Sequence, residues 1–174
     1  MIPRPKPGEY NEYFSKYIQH IPDQANILEV LQKQRQEVEQ LFGRVSEGEA
    51  SFAYEPGKWS VKELLGHMVD TERIMAYRAL CIARGEQKPL PGFEENDYVA
   101  NAFFSERSLN NILDEYNTVR EATLSLLRSL PAASFSRLGN ANGSPITPSA
   151  LAFIIAGHER HHMNILKERY LVKL

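Results

Sequence analysis

Apolar residues recur every three or four positions through most of this 174-residue chain, and alternation of apolar with polar residues is scarce. That periodicity predicts an all-α protein. Pro3, Pro5 and Pro7 keep residues 1–9 out of any helix, so an extended N-terminal arm precedes a short helical piece over Glu9 to Gln19, which Pro22 closes. Ile27, Leu28, Leu31, Val38, Leu41 and Phe42 mark a first long helix from about Asp23 to Phe42. Ser60-Val61-Lys62-Glu63 has the form of a capping box and opens a second, running to about Arg84 before Gly85. Residues 85–96, with two prolines and two glycines, read as a long loop before a short helix over Asp97 to Phe104. Ser108 caps a third long helix, Leu109 to Leu130, which Pro131 follows. Residues 139–145 read as an irregular connector, and Thr147 with Pro148 opens a fourth helix to about Tyr170. Four long helices joined by loops imply a four-helix bundle with short extra helices. Neither a solenoid-length repeat nor a low-complexity tract interrupts residues 1–174, which have the size of a single domain with one core.

Charge and composition remove several function classes. A net charge of -2 and a pI near 6.2 leave no basic surface for neutralising phosphates, so nucleic acid is not expected as a ligand. No apolar run approaches the roughly 18 residues of a membrane span, and the prolines of MIPRPKPGEY stand where a secretory signal carries its apolar centre. The single cysteine, Cys81, excludes an intramolecular disulfide and reads as a small core or interface residue, since nothing beside it would lower its pKa. A reducing cytoplasm is the expected location.

The candidate chemistry sits in Gly157-His158-Glu159-Arg160-His161-His162 on the last helix. At about 100° per residue, His158 and His162 fall within about 20° of Leu151, the centre of an apolar stripe shared with Ile154, Ile155, Ile165 and Leu166, while His161 lies about 80° away. Residues at i and i+4 stack on one face, so one ion can hold both imidazoles. A lone inward histidine is usually a hydrogen-bonded core residue; two side by side would need two separate partners, which one divalent cation replaces.

The same residues spell H-E-x-x-H, a zinc-peptidase signature with glutamate as general base. The extended signature requires a glycine where Ile165 stands and a histidine where Glu168 stands. The shorter form needs a glutamate ligand on a downstream element, and only twelve residues follow His162. Glu159, about 100° from His158, therefore reads as an exposed helix residue beside Arg160, and no peptidase is expected. A third ligand should come from another helix. His67 is the best candidate, although by periodicity it flanks the stripe of Val61, Leu65, Met68 and Ala79, and a half-buried surface histidine fits the pattern equally well. His20, before Ile21-Pro22, reads as surface.

Lys58-Trp59-Ser60, His67 within ELLGHMVDTE, the acidic FEENDY segment from Phe93 to Tyr98, and TPSALAFIIAGHERHHMNIL together resemble the DinB/YfiT-like superfamily, in order and over nearly the whole chain. The resemblance implies an up-down-down-up four-helix bundle, often a homodimer, that binds nickel or zinc through three histidines. These map onto His67, His158 and His162, so the resemblance selects His67 as the third ligand. It implies a thiol S-transferase using a low-molecular-weight thiol, or a metal-dependent hydrolase acting on a small-molecule substrate. Three neutral histidines leave a cation its full charge, which suits either a thiol held as thiolate or an activated water. The alternative is a non-catalytic metal-binding stress-response bundle. Glu94, Glu95 and Asp97 could reach the open side of the metal as acid or base, with Glu94 and Asp97 the catalytic candidates, although a solvated charge run is the plainer account. Asp70, Thr71 and Glu63 could orient the free nitrogen of His67. Trp59 reads as a residue that fixes the start of the second helix.

Overall fold

The computed structural model describes residues 1–174. Short helix α1 (Ser15–Ile18) precedes four long helices: α2 (Ile27–Phe42), α3 (Val61–Ala83), α5 (Leu109–Ser129) and α6 (Pro148–Ile165), with α4 (Glu95–Ala102) lying between α3 and α5. The sequence caps each long helix. Asn26, Ser60, Ser108 and Thr147 accept hydrogen bonds from the first-turn amides of α2, α3, α5 and α6, and Glu63 returns the bond to the Ser60 amide at 2.7 Å. The Asn26 cap starts α2 four residues later than apolar periodicity predicts.

Cross-helix bonds fix the directions. Gln34 donates to the Ala156 carbonyl at 2.8 Å and Arg160 to Glu37 at 2.7 Å, so α2 and α6 ascend together. Glu47 pairs with Lys62 and accepts from the Leu109 amide at 2.9 Å, while Arg120 reaches Glu72 further along; α3 and α5 are therefore also parallel. Trp59 near Tyr170 and His67 near His158 show α3 running against α6. The order is up-down-down-up. A parallel α3–α5 pair requires the chain to travel back along the bundle, and the segment after Ala83 with α4 does so. Its path is pinned by the Leu90 amide on the Asn140 carbonyl at 3.0 Å, the Asn142 amide on the Leu90 carbonyl at 2.9 Å, and Arg78 on the Pro91 carbonyl at 2.6 Å.

Residues 139–145 do not form an irregular connector. Strand β1 (Gly139–Ala141) pairs antiparallel with β2 (Ser144–Ile146), and Asn142 and Gly143 between them take φ of 53° and 75°. A two-residue turn with both central residues left-handed is the tight hairpin link that Asn-Gly favours. α6 ends at Ile165 rather than Tyr170, and residues Leu166–Tyr170 continue as a π-helical turn. The N-terminal arm is extended as expected and is packed: Ile2 is buried, and Arg4 donates to the Ile21 carbonyl at 2.8 Å. Cys81 is half-buried against the core.

The apolar interior falls into two clusters. One contains Leu31, Met75, Ala79, Leu124, Ile154 and Ile155; the other Val38, Leu65, Met68, Ile112, Val119 and Met163. Between them lies a layer of buried polar side chains: Gln34, His67, Glu72, Arg120, His158, Glu159 and His162. Such a layer costs desolvation at every polar group it does not satisfy, so its composition directs attention to function.

Candidate metal centre

Two glycines stand immediately before histidines of this layer. A Cβ on residue 157 would lie 2.2 Å from the Tyr17 carbonyl oxygen, and one on residue 66 would lie 2.3 Å from the Phe104 ring. Their lack of a side chain lets α1 rest on α6 and Phe104 rest on α3. The first contact brings the Tyr17 ring edge-on to His158 and His161, with centroids 5.3 and 5.4 Å away.

His67 from α3 and His158 and His162 from α6 point their Nε2 atoms at one another. The His67–His158 and His158–His162 Nε2 separations are both 3.0 Å, and the donor atoms of all three lie within 4.8 Å of one another. A cation bound about 2.1 Å from each nitrogen would hold neighbouring nitrogens about 3 Å apart at a right angle. The triad therefore fits a divalent metal. Its protonation agrees. Burial pushes His67 down to about 4 and His162 to about 2, and drives His158 well below the usual imidazole range, with the other histidines adding to the effect at His158 and His162. All three are neutral near pH 7, as metal coordination requires.

Behind the triad, Arg120 is fully buried in α5. It donates to Glu72 at 2.9 and 2.7 Å, to Glu159 at 2.5 Å and to the Leu31 carbonyl at 2.9 Å. Tyr116 donates to the same Glu159 oxygen at 2.8 Å. Burial pushes the Glu159 carboxyl above the usual carboxylate range, and Arg120 offsets only part of that rise.

The opposite side of the triad is open. One cavity of about 340 Å³ includes Thr71, Arg78, Phe93 and His158 in its wall; a second of the same volume includes Trp59, Tyr170 and His162. Glu95 and Asn96 line both. The Glu95 Oε2 atom is 3.9 Å from His67 Nε2, and its side chain is half exposed. The Trp59 ring lies against His67, with centroids 4.5 Å apart.

The sequence profile of the DinB superfamily matches residues 30–166. The chain belongs to the DinB superfamily. Among solved structures it is similar to YfiT from Bacillus subtilis, a probable metal-dependent hydrolase with an unusual four-helix bundle topology. The TM-score is 0.73 at 18% identity, covering 95% of this chain and 90% of that one. It is also similar to a mycothiol-dependent maleylpyruvate isomerase, with TM-score 0.68 at 13% identity, covering 84% of this chain and 61% of that one. No curated protein matches the sequence. No helix is long and apolar enough to cross a membrane.

This DinB-superfamily chain brings together His67, His158 and His162, and His67 is buried rather than half-exposed. His161 is half-buried outside the cluster, and His20, expected at the surface, is half-buried with its ring 6.1 Å from that of His161. Of the acidic candidates, Glu94 lines the first cavity, and Asp97 lies beside Asp70 and Asn101 in a separate depression. Glu95 is the carboxylate that reaches the triad, because α4 begins at Glu95 and not at Asp97. The hydrogen bonds of Glu63 go to the Ser60 amide, Asp70 faces Arg73 at 3.9 Å, and Thr71 Oγ1 is buried without a partner, so none of the three orients His67. Trp59 packs on the candidate ligand itself rather than only at the start of its helix. Glu159 is buried, contrary to its expected exposure. Residues 150–157, ALAFIIAG, are apolar all round, and a helix of that kind is buried on every face; that was the available signal for Glu159.

Proposed function

We propose that this protein is a divalent-metal-dependent enzyme that joins a low-molecular-weight thiol to a small electrophile, with His67, His158 and His162 as the metal ligands. Nickel or zinc suits three neutral imidazoles. When bound, such a cation supplies the positive charge that keeps a thiol deprotonated at neutral pH. The observation that carries the reading is the pair of cavities of about 340 Å³ that share Glu95 and Asn96 in their walls, one also walled by His158 and the other by His162. Two adjoining chambers, each reaching one histidine of the triad, suit two substrates. Glu95 stands between them, exposed enough to pass a proton to water, and accepts the thiol proton. Trp59 shields one face of His67 from water and holds its ring in place. The mycothiol dependence of the similar isomerase supports a thiol cosubstrate here.

Hydrolysis is the second reading, favoured by the hydrolase description of YfiT; water then takes the place of the thiol, and Glu95 the same proton. A purely structural metal calls for a closed shell of four protein ligands, whereas three donors cluster here. The likeness to the superfamily also implies a homodimer, which sedimentation of the metal-loaded protein tests.

The deciding experiment is elemental analysis of the purified protein, followed by assays of cysteine-derived thiols with a chloronitrobenzene and of nitrophenyl esters without thiol. One metal per chain and metal-dependent conjugation are expected. Ester cleavage without conjugation would select the hydrolase, and stoichiometric metal with neither reaction would select the non-catalytic bundle.

A further inference from the structure

Arg78 projects from the same face of α3 as His67 and Thr71, all within about 40° around the axis. It is only 4% exposed, yet no carboxylate pairs with it. Its Nη2 donates to the Pro91 carbonyl at 2.6 Å, its Nη1 meets the Met75 sulfur at 3.7 Å, and the Phe93 ring lies 5.8 Å from its guanidinium carbon. A guanidinium has five N–H donors in a planar fork that matches a carboxylate, so three remain unassigned. Burying an unpaired charge is unfavourable, and Arg78 lines the first cavity. Thr71, seven residues or about 10 Å of helix nearer the triad, lines the same cavity with a buried hydroxyl that has no partner. Met75, Phe93, Tyr17 and Ile146 supply apolar wall between and around them.

We infer that this cavity binds small carboxylate-bearing molecules, with Arg78 as the carboxylate anchor, Thr71 as a second hydrogen-bonding group, and the apolar body of the ligand directed toward His158. The charge balance selects a monoanion. Arg78 is the only cationic side chain in the wall, which also contains Glu94 and Glu95; one carboxylate pairs with the one guanidinium, whereas a phosphate dianion would bring a second charge with no cation to meet it and two glutamates to repel it. Arg78 is thereby a specificity residue about three helical turns from His67. The inference depends on the proposed function only for which end of the ligand reacts.

The test titrates the full-length protein, before and after chelation, with benzoate, its neutral isostere benzamide, and phenyl phosphate. The Arg78 Nε–Hε resonance, assigned by its loss in Arg78→Lys, is followed by NMR. Saturable movement of that resonance by benzoate is expected in the chelated protein. Binding by benzamide, or by Arg78→Met with benzoate, should be weaker by about tenfold or more, and phenyl phosphate should bind no tighter than benzoate. Equal benzamide binding, an unmoved Arg78 resonance, or benzoate binding abolished by chelation would overturn the assignment; tighter phenyl phosphate would overturn the carboxylate class. Should Arg78→Met unfold, the wild-type resonance and the benzoate–benzamide pair still decide. Because the chelated protein is the one read, failure here leaves the metal stoichiometry of the triad unaffected.

Discussion

Glu159 turns its carboxylate away from His158, its neighbour in sequence, and accepts a 2.5 Å hydrogen bond from the fully buried guanidinium of Arg120. One helix turn thus serves two layers: His158 faces the open site, and Glu159 ties α6 to α5 behind it. Removing one member of such a buried ionic group leaves its partners charged and unpaired, so Arg120→Met should lose about 3–5 kcal/mol of stability, read from denaturant unfolding. Glu159→Gln, which keeps shape and one acceptor, should lose less and retain full metal content. Loss of metal in a folded Glu159→Gln protein would restore a direct role for the glutamate of H-E-x-x-H.

Alanine at His67, His158 or His162 should each reduce bound metal well below one per chain in elemental analysis, because two imidazoles bind far more weakly than three. His161→Ala is the control. It is half-buried and outside the cluster, and metal content should not change.

The metal-free protein should lose stability as pH falls from about 6.5 to about 4. An unfolded histidine titrates near 6.5, while burial holds folded His67 at about 4 and His162 at about 2. Within that window the unfolded chain binds more protons than the folded one, so stability drops with pH, by up to about 1.4 kcal/mol per pH unit per histidine. Urea midpoints of chelated protein between pH 7 and 5 provide the measurement, and a flat profile would contradict neutral buried imidazoles. Added zinc should raise the midpoint most at the upper end, since protons compete for the same nitrogens.

Glu95→Gln should lower turnover by about 100-fold, the usual scale for a lost proton acceptor, with metal content preserved. Asp97→Asn, in its separate depression, should stay within about twofold. Equal effects of the two substitutions would remove Glu95 from the chemistry.

Gly157→Ala should destabilise by about 1–3 kcal/mol, because its methyl would meet the backbone oxygen of Tyr17 at 2.2 Å, an atom that cannot rotate away. Thermal melts measure the loss. Detachment of α1 should also speed backbone amide hydrogen exchange across Ser15–Ile18.

The four long helices, the caps at Ser60, Ser108 and Thr147 and the His158–His162 pair were legible in the sequence because each depends on residues within a few positions of one another; the Asn26 cap of α2 was not read. Ser60 and Glu63 close their own capping box, and i,i+4 spacing alone puts two imidazoles side by side. Asn142-Gly143 was equally local, and its hairpin was readable from turn chemistry. What the tertiary structure decided involves distant partners. Periodicity supposes one buried face per helix, yet α6 is enclosed by α1, α2 and α3 and meets the long side chains of Tyr116 and Arg120 from α5, so Glu159 is buried at a phase that predicts exposure. His67 was ambiguous by phase and became part of the triad only through the antiparallel packing of α3 on α6. Glu95, rather than Glu94 or Asp97, reaches His67 because parallel α3 and α5 force the intervening chain back across the mouth of the site. Local sequence determines which segments become helices and where they start; the directions in which those helices pack determine which of their polar residues meet.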